Sequence, residues 1–177
     1  EYKYTPLLKN VEKKFDLLKE NSDQISQKSY EEVAKFVNSK FYLISVDGYF
    51  KSELSNIPPK VKIKKYSELE REEKDTFENM YQKHDDSKSD FFSSLNSIIH
   101  EDCLTISVDS NTVLKEHITI ININENYDVN NYRKMIFCDK GSEISIFERF
   151  INLKSDENFS SSVTEIYQAE NSKLNYY

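Results

Sequence analysis

A chain of 177 residues suits one domain, or one domain with a smaller appendage, and is long enough to bury a sizeable core. Its net charge of −7 and pI near 5.1 argue against a duplex nucleic-acid binder, which needs a net basic surface to release counterions. No stretch approaches the roughly 20 apolar residues of a membrane span, and none resembles a signal peptide. Cys103 and Cys138 lie far apart without CxxC spacing, which argues against a disulfide framework and for a reducing, cytoplasmic setting. Two glycines, no tryptophan and abundant Asn, Lys, Ser, Ile and Tyr fit AT-rich codon usage. The start at Glu1 instead of Met raises the expectation that an upstream part has been removed.

In chain order, Thr5-Pro6 predicts a helix start, with Leu7, Leu8, Val11, Phe15 and Leu18 at helical spacing and Asn21 as a stop. Ser29 with Glu32 predicts a second helix carrying Val33, Phe36 and Val37. "FYLISVDGYFKSEL" (41–54) predicts a hairpin about Asp47-Gly48. "VKIKKY" (61–66) predicts a strand, and Ser67 with Glu70 opens a charged helix running to about His84. "DSKSD" (86–90) is a polar break before an amphipathic helix with Phe91, Phe92, Leu95, Ile98 and Ile99.

From Cys103 onward only β-runs appear: "CLTISV" (103–108), "HITIININ" (117–124), "KMIFC" (134–138), "EISIFERF" (143–150), "SVTEIYQ" (162–168) and "KLNYY" (173–177). With no helix between them, a sandwich or a solenoid remains. The alternation slips between Ile120 and Ile121, which favours strands turning a corner in a solenoid. The expected fold is therefore mixed α and β. An N-terminal helical/α+β region (1–101) precedes the opening, incomplete coils of a right-handed parallel β-helix (102–177).

Chemistry is hard to place on this chain. His84, His100 and His117 never fall at i, i+4 spacing, and His100 with Cys103 gives two candidate ligands without a second pair. No GxSxG is present, and two glycines are too few for a P-loop or a dinucleotide fingerprint. Cys138 lies where an inward-facing strand residue belongs. Glu148 and Glu165 are the candidate acid/base pair of a polysaccharide-active β-helix enzyme. The competing reading makes each an outward strand residue, solvated or paired with a neighbour such as Arg149. No catalytic, cofactor-binding or metal-binding residue is assigned.

Read in order, the pieces resemble a family. "EYKYTPL" resembles the "E-W-K-Y-T-x-L" opening of the SufD side of the SufB/SufD iron–sulfur cluster assembly family, and "FYLISVDGYFKSELS" its "V-D-G" hairpin. "DFFSSLNSIIHEDCLTISVDSNTVLKEHITI", "RKMIFCDKGSEISIFERF" and "SSSVTEIYQAENSKLNYY" follow collinearly, the last resembling "V-T-E-I" and "Y-Y" motifs. Tyr2 stands for the usual tryptophan, Asp102 for a turn glycine and His117 for a proline. The resemblance implies a β-helical core and a non-catalytic scaffold in a SufB–SufC–SufD complex, aiding iron acquisition and cluster assembly. The complex, and not this chain, would handle the iron–sulfur cluster. It implies SufB-like and SufC-like ATPase partners, contacted mostly through regions beyond this chain. A SufB-like paralogue is the alternative within the family. An open last coil also predicts that this piece alone is aggregation-prone.

Overall fold

The computed structural model describes residues 25–81, 91–100, 102–154 and 158–177. The helix expected over 7–18, Tyr2, His84 and the break at 86–90 lie outside the described residues. Helix α1 (Gln27–Phe36) starts earlier than Ser29: Ser26 is its cap, its Oγ accepting from the Ser29 N–H at 3.1 Å. Strands β1 (Phe41–Val46) and β2 (Tyr49–Phe50) form the expected hairpin, with Asp47 at φ 53° and Gly48 at φ 92°. Strand β3 (Val61–Lys65), a 3-10 turn (Tyr66–Glu68), α2 (Arg71–Tyr81) and α3 (Phe91–Ile99) follow. The Ser67–Glu70 capping box does not form. Ser67 Oγ donates to Asp102 Oδ2 at 2.5 Å, and the Glu70 N–H donates to Glu73 Oε2 at 3.0 Å.

Six strands complete the chain: β4 (Cys103–Val108), β5 (Ile118–Asn124), β6 (Val129–Cys138), β7 (Glu143–Asn152), β8 (Phe159–Gln168) and β9 (Lys173–Tyr176). Two mixed sheets result, one in the order β2-β1-β5-β7-β9 and one in the order β3-β4-β6-β8. Pairing is parallel within each sheet except at one edge, where β1/β2 and β3/β4 run antiparallel. Strands from both sides of residue 101 therefore pair directly: β1 with β5, and β3 with β4.

This overturns the expected parallel β-helix. The strands lie in two open mixed sheets of five and four strands, and among the described residues no closed or solenoid stack forms. The apparent slip at Ile120-Ile121 misled the sequence reading, because β5 is buried on both faces and turns no corner. Ile118 and Ile120 face the second sheet, joining Leu43, Ile106, Val108, Ile136, Ile144 and Ile146 in the main core. Ile121 and Ile123 face the other way, under α1, with Val33, Ile44 and Val46. A strand covered on both sides reads as near-continuous apolar sequence, as in the interior of α/β proteins.

The turns between sheets repeat. Asn111 (φ 54°), Gly141 (φ 67°) and Asn171 (φ 58°) occupy equivalent positions, linked by Asn111 N–H to Lys140 O at 2.8 Å and Gly141 N–H to Glu170 O at 3.1 Å. A Cβ at 141 would sit 2.7 Å from Asn111 Oδ1, so a larger residue there would make the Asn111 side chain shift, while the positive φ suits glycine as it suits the two asparagines.

Candidate functional site

Period-2 alternation makes the space between the sheets apolar at one end and polar at the other. Along β5 the inward residues run Ile118, Ile120, Asn122, Asn124; along β6 they run Cys138, Ile136, Lys134, Tyr132. Lys134 Nζ lies 2.7 Å from Glu148 Oε1 of β7, with the two side chains only 3% and 8% exposed. Such a pair is a between-sheet bridge removed from water, unlike the exposed surface pair Lys173–Glu143. Asn122 Nδ2 donates to the same Glu148 oxygen at 2.5 Å, and the Tyr176 hydroxyl donates to the other. Lys134 also donates to Ser162 Oγ at 3.0 Å, so both charges are held by hydrogen bonds from several strands. Beyond them, Tyr132 OH donates to Asn124 Oδ1 at 2.7 Å and Asn124 Nδ2 to Ser160 Oγ at 2.7 Å.

The outer face of the four-stranded sheet carries a second constellation, under α2 and α3. Arg133 NH2 meets Glu165 Oε1 at 2.5 Å, and its NH1 donates to Ser97 Oγ at 2.8 Å. Buried Asn96 donates to Tyr132 O at 3.3 Å and Ser161 Oγ at 3.2 Å, fastening α3 to β6 and β8. A cavity of about 210 Å³ opens beside them, lined by Tyr66, Phe77, His100, Cys103, Arg133 and Met135 among others.

The paired carboxylates of the enzyme reading do not share a cleft. Glu148 points between the sheets to Lys134, not outward to Arg149 as expected, while Glu165 points outward to Arg133. Among the described residues no group of three His, Cys, Asp or Glu side chains is placed to hold a metal ion. His117 packs its ring edge-on against Phe147, centroids 4.8 Å apart, which accounts for an aromatic ring at that position. Asp102 accepts from Ser67 and from the Cys103 N–H at 2.7 Å, a local closure that an acidic residue supplies without glycine.

The family description "SufBD protein N-terminal region" matches residues 1–120, more than half of the chain. The chain belongs to the SufBD family. It is thus a member of a family of iron–sulfur cluster assembly proteins. Among curated proteins no significant match is found. No helix among the described residues is long and apolar enough to cross a membrane.

In this SufBD chain the residues that sequence reasoning missed are Lys134, Asn122, Tyr176, Asn96 and Arg133. For Asn122 and Lys134 a signal was present in the sequence: asparagine every second residue inside "ININ", and a lysine in a strand otherwise bound for the core. The SufBD interior also sets an alkaline limit on stability. Burial pushes the Cys138 thiol up to about 11 and the Cys103 thiol up to about 12. Burial likewise raises the Tyr132 and Tyr176 phenols, the latter also through its hydrogen bond to Glu148. Lys134 is shifted the other way, held below the usual lysine range because burial outweighs the attraction of Glu148.

A group with a raised folded value contributes stability that is complete below its unfolded value and lost as pH climbs through the folded one. The thiols and phenols, with Tyr66 (also raised to about 12 by burial), therefore withdraw stability from about pH 9 upward, and Lys134 opposes them as one group against five. Urea midpoints are expected to fall between about pH 8 and about pH 10.5. A midpoint that holds or rises would contradict this.

Proposed function

We propose that this SufBD-family chain acts as a SufD-like, non-catalytic scaffold subunit of a cytoplasmic SufB–SufC–SufD complex, aiding iron acquisition and cluster assembly. ATP hydrolysis in this reading belongs to the SufC-like partner, and the iron–sulfur cluster is cargo of the complex. The observation that carries the reading is the closure of charge within the fold. Glu148 with Lys134 joins sheet to sheet and Glu165 with Arg133 joins β8 to β6, so the two carboxylates are each held by a cation and do not share a cleft. Support for the SufD side comes from the "KYT" opening and the Asp47-Gly48 hairpin. The hairpin carboxylate also clamps residues 125 and 126 through their N–H groups. The test is co-expression of the full reading frame with SufB-like and SufC-like proteins, followed by size-exclusion chromatography. Stoichiometric co-elution with both is expected; elution of the protein alone would overturn the proposal.

A further inference from the structure

We propose that the cavity beneath α2 and α3 is a soft-metal site that takes Cu(I), with Cys103 Sγ, Met135 Sδ and His100 as its donors. All three residues line the same space of about 210 Å³. The sequence offers only two of them, His100 and Cys103, three positions apart. Folding supplies the third. Cys103 on β4 sits opposite Arg133 on β6, and Met135 follows two residues along the same outer face. Cys103 and Met135 belong to one packed cluster with Leu69 and Phe77, so thiol and thioether share an apolar surround.

The His100 contact favours a tautomer that can bind a metal. His100 Nδ1 lies 2.9 Å from the Asn96 carbonyl, an oxygen that can only accept, so Nδ1 carries the hydrogen in the neutral ring. That leaves the Nε2 lone pair for a ligand, the arrangement in which a backbone carbonyl fixes a metal-binding tautomer. Thiolate, thioether and imidazole together are a soft donor set. They match Cu(I) and mismatch Mg²⁺, Ca²⁺ or Mn²⁺, which want oxygen ligands.

Charge favours a cation as well. The Arg133 guanidinium on the floor is neutralised by Glu165 at 2.5 Å, and the cavity wall adds the Glu78 carboxylate, which accepts from Tyr66 OH at 2.8 Å. Binding replaces the Cys103 S–H bond with an S–Cu bond and releases one proton; copper stays Cu(I) throughout, so no oxidant or reductant is consumed. The competing reading is that Cys103 and Met135 merely fill the core. The proposal stands independently of the scaffold function.

The experiment is anaerobic titration of the 177-residue chain with Cu(I) against bicinchonate-type chelator competition, with proton release read in weak buffer. One equivalent of Cu(I) withheld from the chelator and one proton released are expected. Met135→Leu, close in volume and lacking sulfur, and Cys103→Ser should each weaken retention at least about tenfold. Cys138→Ser, which alters a thiol in the main core, should leave it unchanged. Three results would overturn the proposal: no Cu(I) retained by the folded chain, retention that survives Met135→Leu, or Fe(II) held as tightly as Cu(I). Thermal melts of each variant establish that the fold is present, and Met135→Leu keeps the test decisive if Cys103→Ser does not fold.

Discussion

Replacing Glu148 with leucine should cost about 3–5 kcal/mol of folding stability, and adding Lys134→Met to the same chain should return most of it. The reason is asymmetry. Removing one member of a desolvated pair leaves the other charge buried with no compensating partner, whereas removing both leaves apolar side chains of similar length. In Glu148→Leu the Lys134 ammonium keeps only Ser162 among the partners described above, and Asn122 and Tyr176 lose their acceptor. In the double variant the new side chains pack beside Tyr132 and Phe150, whose rings lie 5.9 Å from Lys134 Nζ. A matched control is Glu143→Gln, which breaks the exposed bridge to Lys173 and should leave the urea midpoint close to that of the wild type. Urea denaturation of the four proteins decides the matter. Equal losses for the single and double variants would show that the pair is itself the source of stability. A negligible loss for the single variant would show that water reaches it.

The second large effect belongs to the hairpin. Asp47→Ala should destabilise by about 2–4 kcal/mol, through lost hydrogen bonds to a charged acceptor and the cost of alanine in the left-handed region. Asp47 is 3% exposed and its carboxylate accepts from the Glu125 N–H at 2.8 Å, the Asn126 N–H at 3.2 Å and Asn126 Nδ2 at 2.9 Å. The turn between β1 and β2 thus holds the connection between β5 and β6. Asp47→Asn keeps one acceptor oxygen and tolerance of positive φ, so it should lose less than half as much. Equal midpoints for the alanine and asparagine variants in urea would show that the carboxylate clamp contributes nothing.

The hairpin was legible in the sequence because Asp-Gly has few structural alternatives, yet its clamp was not, since its partners lie 78 and 79 residues away. Strands β4, β5 and β7 were legible from their β-branched runs. Strands β6 and β8 extend further toward their N-termini than expected, through "VNNYR" and "FSS". Those residues looked like loop because polarity normally marks solvent, whereas here Asn130, Asn131, Arg133 and Ser161 are buried in a polar layer, although Ser160 is exposed. The same layer explains the misplacement of Glu148. A glutamate in a strand reads as outward-facing, and only the arrival of Lys134 from the opposite sheet makes the inward position tolerable. Glu165 was placed correctly by alternation alone, because the inward faces of its neighbours follow the pleat. The solenoid expectation failed at Ile120-Ile121, where burial on both faces imitates a change of direction. The first described helix starts earlier than expected because Ser26 and Ser29 compete for the capping role, and local spacing does not rank them.

Both constellations join elements that are remote in sequence: Lys134 and Glu148 tie sheet to sheet, and Asn96 with Arg133 ties α3 to the outer face. Stiffness of this kind is what the proposed scaffold role requires. The most direct measurement uses the full-length Lys134→Met, Glu148→Leu protein, assembled with its SufB-like and SufC-like partners and assayed for cluster transfer to an apo acceptor. A scaffold role predicts transfer at the wild-type rate once the complex has formed. A variant that folds and assembles normally but transfers no cluster would contradict it, assigning the buried pair to the reaction itself.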